Sequence, residues 1–294
     1  AFDYGLKVNE AEITAIVNNK EAATFENTIL ALEKSGEVLK RAQIVFYNLT
    51  GSNTNPTLQK IEEQYAPIFA SHADKIYLNS ALYNRIKAIK TDGLDAEDQR
   101  LLEVYKQRFE LAGANLSDAD KEQMKKINAE LATLSTQFSS KLLEARKKGA
   151  VLISDVKELD GLSADEIAAA ATDAKNAGYE GKYLLTLLNT TQQPLLQNLK
   201  NRATREKLFK ASWYRAEKGD ENDTRAILER QAKLRMEKAH LMGKSSYAEL
   251  NLVDQMAKKP ENAMNLLYQL GKPAVEQAKR EIVDIQALID AQKG

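Results

Sequence analysis

Cysteine is absent from this 294-residue sequence, and histidine occurs only at His72 and His240. The absence of cysteine excludes disulfides and thiolate metal sites, but it does not separate a reducing cytoplasm from a periplasm. Neither histidine has a second histidine four residues away, so the helical pair that often binds a catalytic zinc is missing. We therefore expect structural roles for both histidines and no metal site in this chain.

The sequence also lacks an excess of charge and a long hydrophobic run. It has 42 basic and 42 acidic residues, so no net field favours nucleic acid or an anionic membrane. No apolar run approaches the roughly 18–20 residues that a membrane span needs. We expect a soluble globular protein without a nucleic-acid partner. The cytoplasm is the favoured compartment, and the periplasm stays open because the chain begins at Ala1 and looks trimmed at its front.

Signatures of catalysis are missing as well. There is no glycine-rich phosphate loop and no glycine-rich elbow around a serine nucleophile. Carboxylates do occur close together, but we place them in helix caps or on solvent-facing helix surfaces. These groups are Glu62 with Glu63, Asp118 with Asp120, and Glu217 with Asp220 and Glu221. The sequence thus predicts neither a catalytic nor a metal-binding residue.

Helical periodicity dominates the chain and predicts a mostly α fold, a multi-helix array. Asn55, Asp95 and Ser117 each precede a stripe of apolar residues at spacings of three and four, as helix N-caps do. The helix after Ser117 is predicted to end at Gly149. Its spacing is also compatible with a coiled coil, but with about three heptads we favour packing within one domain.

A small β element is predicted near 151–188, from apolar runs at 151–153 and 183–188. Between these runs, Ser163 and Glu166 form a capping box that starts an alanine-rich helix. The segment 151–193 is the predicted boundary region between two domains. We divide the chain there into a domain of residues 1–193 and a second one of residues 194–294.

Two apolar features follow the segment 151–193. Trp213 and Tyr214 lie a few residues after Phe209 on a predicted helix, and we expect at least one of these rings to face the core. Near the end of the chain, apolar residues repeat at spacings of 3, 4, 3 and 4, which predicts a stripe that needs a partner. Its members are Val275, Ala278, Ile282, Ile285 and Ile289.

Several segments together resemble one protein family. They are residues 187–194, 201–209, Trp213-Tyr214-Arg215-Ala216-Glu217-Lys218, 222–225, Ala239-His240-Leu241-Met242-Gly243 and 254–258, with 25–33 and 108–114 upstream. In this order and spacing they are similar to the bacterial peptidyl-dipeptidases (dipeptidyl carboxypeptidases), a branch of the thimet-oligopeptidase-like zinc metallopeptidases. The resemblance spans essentially the whole chain.

The resemblance implies two mostly helical halves that enclose a narrow groove. A His-Glu-x-x-His motif and a downstream glutamate bind zinc in the C-terminal half of that family, and no residue here matches them. Residues 1–193 then resemble the lid-like N-terminal region, and 194–294 resemble the first helices of the peptidase domain. We expect a chain that is inactive alone and lacks zinc. In the full-length protein, zinc, an oligopeptide substrate and a C-terminal catalytic half complete the enzyme.

One segment is a candidate for contact with substrate. A strand edge at the groove holds an extended peptide through backbone hydrogen bonds, whatever its side chains are. Tyr183, Leu185, Leu187 and Asn189 are our candidate residues for that edge. An equally simple interpretation is that this strand pairs with residues 151–153 and never meets substrate. The alternative for the whole chain is a helical binding or scaffold module that has no catalytic half.

Overall fold

The computed structural model describes residues 1–188 and 192–293. The helices are α1 (Phe2–Asn18), α2 (Ala31–Lys34), α3 (Glu37–Asn53), α4 (Pro56–Tyr77), α5 (Ser80–Ala88), α6 (Ala96–Ala112), α7 (Asp118–Lys148), α8 (Ala164–Asn176), α9 (Gln192–Asn198), α10 (Arg202–Trp213), α11 (Arg225–Leu241), α12 (Tyr247–Asn251) and α13 (Pro260–Lys293). A π-helix spans Phe25–Leu30 and a 3₁₀ turn spans Val156–Leu159. The predicted mostly α fold is confirmed.

The predicted N-caps are present, and each satisfies backbone donors that a helix start leaves free. The Asn55 side chain accepts hydrogen bonds of 3.0 Å from the amides of Thr57 and Leu58. Asp95 and Ser117 accept from the third amide of α6 and of α7. The capping box at the start of α8 is complete. Local side-chain chemistry therefore sets where these helices begin.

The β element consists of two short antiparallel strands, β1 (Val151–Ile153) and β2 (Tyr183–Leu185), with Val151 opposite Leu185 and Ile153 opposite Tyr183. The predicted second strand, 183–188, was too long, since β2 ends at Leu185. A strand needs a partner for its ladder, and β1 offers only three residues. The two runs pair with each other, as the alternative interpretation of this segment held.

Among the described residues, three apolar clusters form the core. The first joins α1, the π-helix, α5 and α6 around Ile29, Leu82 and Phe109. The second surrounds the strands and includes Ile153, Leu185, Leu199 and Leu208. The third packs α1, α3 and α4 around Phe2, Leu39 and Phe46. The second cluster contains residues from both sides of position 193, and the division of the chain at that position stays a prediction.

Helix α7 is the element that connects these parts. It is 31 residues long, about 46 Å at 1.5 Å per residue. Helices α4 and α11 both pack against it, so packing within one domain, rather than a coiled coil, explains its apolar stripe. The helix ends at Lys148, immediately before Gly149, as predicted.

Helices α1 and α3 cross closely at Gly5. A Cβ atom at this position would lie 2.8 Å from Cα of Leu39, in a backbone that has little room to move. Glycine thus permits the approach that builds the third cluster, where Phe2 stacks edge-on against Phe46. Gly51, in α3, is a helical glycine whose added Cβ would meet no atom within 4 Å.

This contrast predicts opposite effects of the same substitution. Gly5→Ala should lower the free energy of unfolding by about 1–3 kcal/mol, because it overpacks the crossing of the two helices. Gly51→Ala should be neutral or stabilise by up to about 1 kcal/mol, because alanine favours a helix. Urea unfolding followed by circular dichroism measures both. Equal effects of the two substitutions would show that the helices do not approach at Gly5.

Candidate functional site

The candidate edge strand presents its side chains to the core. Leu185 and Leu187 are each 1% exposed and belong to the second cluster. Tyr183 is half-buried at the other end of β2, and Asn189 lies outside the described residues. Any contact between this segment and a peptide must therefore use the backbone rather than Leu185 or Leu187.

A small cavity of about 130 Å³ adjoins β2. Leu184, Thr186 and Leu195 line it, together with Glu166 and Asp173 of α8. The Glu166 carboxylate accepts hydrogen bonds from the amide and the hydroxyl of Ser163, and these hold the pKa of Glu166 below its ordinary value. Glu166 thus caps α8, and its lowered pKa favours the ionised form, which makes it a poor proton donor in a reaction.

His72 is buried between α1 and α4. Its Nε2 lies 2.7 Å from Oδ1 of Asn9, an acceptor, so Nε2 carries the proton and Nδ1 carries the lone pair. Burial lowers the pKa of His72, against an opposing effect of Glu10. A neutral imidazole held by Asn9 fixes the two helices to each other, in agreement with the structural role that we expected.

His240 lies in the last turn of α11, as predicted, and its side chain is exposed. Among the described residues, no group of three or more histidine, cysteine, aspartate or glutamate side chains is arranged to hold a metal ion. The zinc of the resembled family therefore has no fitting ligand set in this part of the molecule. That the chain by itself binds no zinc stays a prediction.

A buried polar chain joins α4, α7 and α11. Nδ2 of Asn128 donates to Oδ1 of Asp74 at 2.7 Å, and Nζ of Lys238 donates to Oδ1 of Asn128 at 2.8 Å. Burial raises the pKa of Asp74 and lowers the pKa of Lys238, while the opposite charge of each partner counteracts the shift. The amide of Asn128 thus contacts both charged groups at once, while Oδ2 of Asp74 is buried without a hydrogen-bond partner among the described residues.

Further polar contacts continue along α7 and α11. Gln231 donates to the Ser135 hydroxyl at 3.3 Å, and Lys148 forms an ion pair with Glu221, just before α11. Partners of increasing residue number in α7 have decreasing numbers in the other segment, so the two run antiparallel. The contact of the buried Gln231 favours one register between them, since a shift would leave its amide unpaired. The pair of Lys148 with Glu221 is exposed and adds little. Sequence reasoning missed these polar contacts between α7 and the later segments, because the partners are far apart in the chain.

The aromatic residues of α10 correct an expectation. Phe209, Trp213 and Tyr214 are 49%, 67% and 48% exposed, so none of the three rings is in the core. The buried face of α10 consists of Thr204 and Leu208, and Phe209 lies one position, or about 100°, around the helix from it. Phe209 and Trp213 instead stack on each other at the surface, with ring centroids 5.5 Å apart.

The arrangement is a helical segment with polar contacts along α7 and exposed aromatic rings on α10. Comparison with known proteins shows a similarity to one class: the sequence model of Peptidase family M3 matches residues 195–294. This part of the chain is therefore similar to that family.

Curated relatives give a more specific result over the entire chain. The chain is 48% identical to the dipeptidyl carboxypeptidase of Escherichia coli and 45% identical to that of Salmonella typhimurium, in each case over 100% of this chain and 44% of the relative. It is 32% identical to an organellar oligopeptidase A of Arabidopsis thaliana, over 95% of this chain and 36% of the relative. The predicted resemblance is confirmed, and the chain spans less than half the length of these relatives.

The polar chain through Asn128 generates a prediction about stability. Lys238→Met should lower the free energy of unfolding by about 2–4 kcal/mol, because it leaves Asp74 buried without its cation and Asn128 without a donor. Lys233→Met is the matched control in the same helix, since Lys233 pairs with Glu229 in solvent, and should have no measurable effect. Urea unfolding at neutral pH compares them. Equal losses would show that Lys238 is not part of a buried network.

The lowered pKa of His72 predicts a dependence of stability on pH. The unfolded imidazole titrates near 6.5, and the folded one titrates lower, so the unfolded state binds more protons between the two values. The free energy of unfolding should therefore decrease as the pH drops below 6.5. Urea midpoints at about pH 7.5 and 5.5 should differ more for the native chain than for His72→Gln. Parallel changes in both proteins would contradict a lowered pKa.

Proposed function

We propose that this chain is the non-catalytic part of a zinc-dependent peptidyl-dipeptidase, an enzyme that removes dipeptides from the C-termini of oligopeptides. The observation that carries the proposal is the 48% identity to a dipeptidyl carboxypeptidase along the entire chain. The match of residues 195–294 to a peptidase family supports it independently. The remainder of the relatives, more than half of their length, then supplies the catalytic half.

The proposed role of the chain is to form one wall of the substrate groove. A peptidase that must exclude folded proteins needs rigid walls around its groove. The capped helices and the register fixed by Asn128 support such a role, because the buried polar groups hold α4, α7 and α11 in one arrangement. Residues 1–193 act as the lid-like region, and residues 194–294 are the first helices of the peptidase domain.

Zinc and its catalytic motif belong to the other half in this proposal. His72 is engaged by Asn9 and buried, and the described residues contain no other arrangement suited to the metal. The His-Glu-x-x-His motif, the downstream glutamate and the general base thus lie outside this chain. No catalytic step is assigned to a residue described here.

The oligopeptide would meet this chain through its backbone. We propose that the segment that includes Tyr183, Leu185, Leu187 and Asn189 offers backbone groups to an extended peptide. The burial of Leu185 and Leu187 is compatible with such recognition, since it leaves specificity to other parts of the groove.

The described residues include no helix long and apolar enough to cross a membrane. We propose the cytoplasm as the compartment.

A helical binding module without a catalytic half is the second candidate. The stacked and exposed pair of Phe209 and Trp213 favours it, because aromatic rings on a surface often mark a protein interface. The identity to a peptidase over the whole chain weighs more, since it extends far beyond α10.

A chimera tests the proposal. This chain replaces the matching 44% of the E. coli dipeptidyl carboxypeptidase, and both the chimera and the isolated chain are assayed on a blocked tripeptide. The chimera should release the C-terminal dipeptide and lose that activity to a chelator. The isolated chain should show no hydrolysis and no zinc after dialysis.

Two outcomes would contradict the proposal. One is stoichiometric zinc in the isolated chain that is lost when His72 or His240 is replaced. The other is a folded chimera without peptidase activity, which would favour the binding module.

A further inference from the structure

A cavity of about 520 Å³ lies between α1, α4 and α7. Its volume is within the range of about 300–1,000 Å³ that is usual for small-molecule sites. A second cavity of about 290 Å³ shares Glu10, His72 and Lys75 with it. The space between these helices is therefore large enough to hold a small molecule.

The wall of the larger cavity carries charges of both signs. Lys75 and Lys125 are its cations, and Glu10 and Asp74 are its anions. Lys75 pairs with Glu10, and Lys125 pairs with Glu122 at 2.6 Å. The side chains of Lys75, Glu10 and Lys125 are nevertheless 61%, 46% and 42% exposed. Exposed ion pairs contribute little stability, so a charged ligand can replace one partner of either pair at small cost.

Two side chains of the wall have a polar atom without a partner. His72 and Asp74 are each 7% exposed, and Nδ1 of His72 and Oδ2 of Asp74 have no hydrogen-bond partner among the described residues. Both atoms are acceptors, since Nε2 of His72 carries the proton that is donated to Asn9. Unpaired buried acceptors are costly. A positive charge in the cavity would stabilise Asp74 even without direct contact, because Coulomb attraction acts over several ångströms.

The cavity also has an apolar surface. Ile13, Ile76 and Leu78 line it, and they offer contacts for a hydrocarbon side chain. A simple anion would be repelled by the two carboxylates of the wall, and a simple cation would be repelled by its two lysines. A ligand that matches all of these features carries an ammonium group, a carboxylate and an apolar side chain.

We propose that this cavity binds a small zwitterion, either a free amino acid or a dipeptide with an apolar side chain. The ligand carboxylate pairs with Lys75 and Lys125. The ligand ammonium group lies towards Glu10 and Asp74. The class of ligand rests on the cavity alone, whereas the choice of a dipeptide rests on the proposed function, since a peptidyl-dipeptidase releases dipeptides.

Titration of the isotope-labelled chain with alanyl-leucine, followed by amide chemical shifts, tests the proposal. The amides of Ile13, His72 and Lys125 should shift. N-acetyl-alanyl-leucine lacks the ammonium charge and alanyl-leucine amide lacks the carboxylate, so each should bind at least about 10-fold more weakly than alanyl-leucine itself. Free leucine keeps both charges, and its titration distinguishes an amino acid from a dipeptide as the ligand.

A pair of variants locates the carboxylate. Lys125→Gln should weaken the binding of alanyl-leucine by about fivefold or more and leave the binding of its amide unchanged, because the amide has no carboxylate to pair with the lysine. Lys126→Gln is the matched control, since this neighbouring lysine is exposed and does not line the cavity. It should change either affinity by less than about twofold.

Three results would overturn the proposal. They are equal binding of alanyl-leucine, its acetylated form and its amide; no chemical-shift change at about 10 mM alanyl-leucine or leucine; and equal losses in Lys125→Gln and Lys126→Gln. The three ligand forms are compared on the unaltered chain, so the test does not depend on the folding of a variant.

The proposed function is tested separately. Binding of leucine without binding of alanyl-leucine supports the zwitterion site and removes its link to the released dipeptide. An inactive chimera with an intact site counts against the peptidase assignment and supports the zwitterion site as a property of the cavity alone.

Discussion

The pairing of buried charges through Asn128 is the constraint on which the arrangement of the long helices depends. Asp74 is only 7% exposed, and a carboxylate in that position is costly unless it is hydrogen-bonded and near a cation. Asn128 provides the hydrogen bond, and Lys238 provides the cation through the same amide. Since one side chain serves both partners, α4 and α11 cannot shift along α7 independently.

This constraint connects local structure to the proposed role. Hydrogen bonds in a partly buried polar chain depend on a defined geometry more strongly than apolar contacts do. The contact of the buried Gln231 with Ser135 extends the same register along α7. A helical assembly held in this way suits the wall of a groove that must keep its width. Helix α13 differs, because every residue from Met264 to Gln292 is exposed.

The elements that sequence reasoning located are those that local chemistry determines. Side-chain caps set the starts of α4, α6 and α7, and apolar spacing indicated the buried faces of α6 and α7. The resemblance to peptidyl-dipeptidases was likewise visible, because several separate segments agreed in order.

The remaining features depend on partners that are remote in the chain. Asn128 meets residues 54 and 110 positions away, and no local pattern marks such a pair. At least one ring of Trp213 and Tyr214 was expected in the core, yet Thr204 and Leu208 form the buried face of α10 and both rings are exposed. The end of β2 was misjudged because the length of a strand is set by its neighbour.

The central claim is that a rigid array built on α7 carries a helix without a core of its own. Hydrogen exchange of the isolated chain measures this claim most directly. The account predicts that the amides of α4, α7 and α11 exchange slowly and together, while those of α13 beyond Met264 exchange orders of magnitude faster. Protection of α13 equal to that of α7 in a monomer would contradict it.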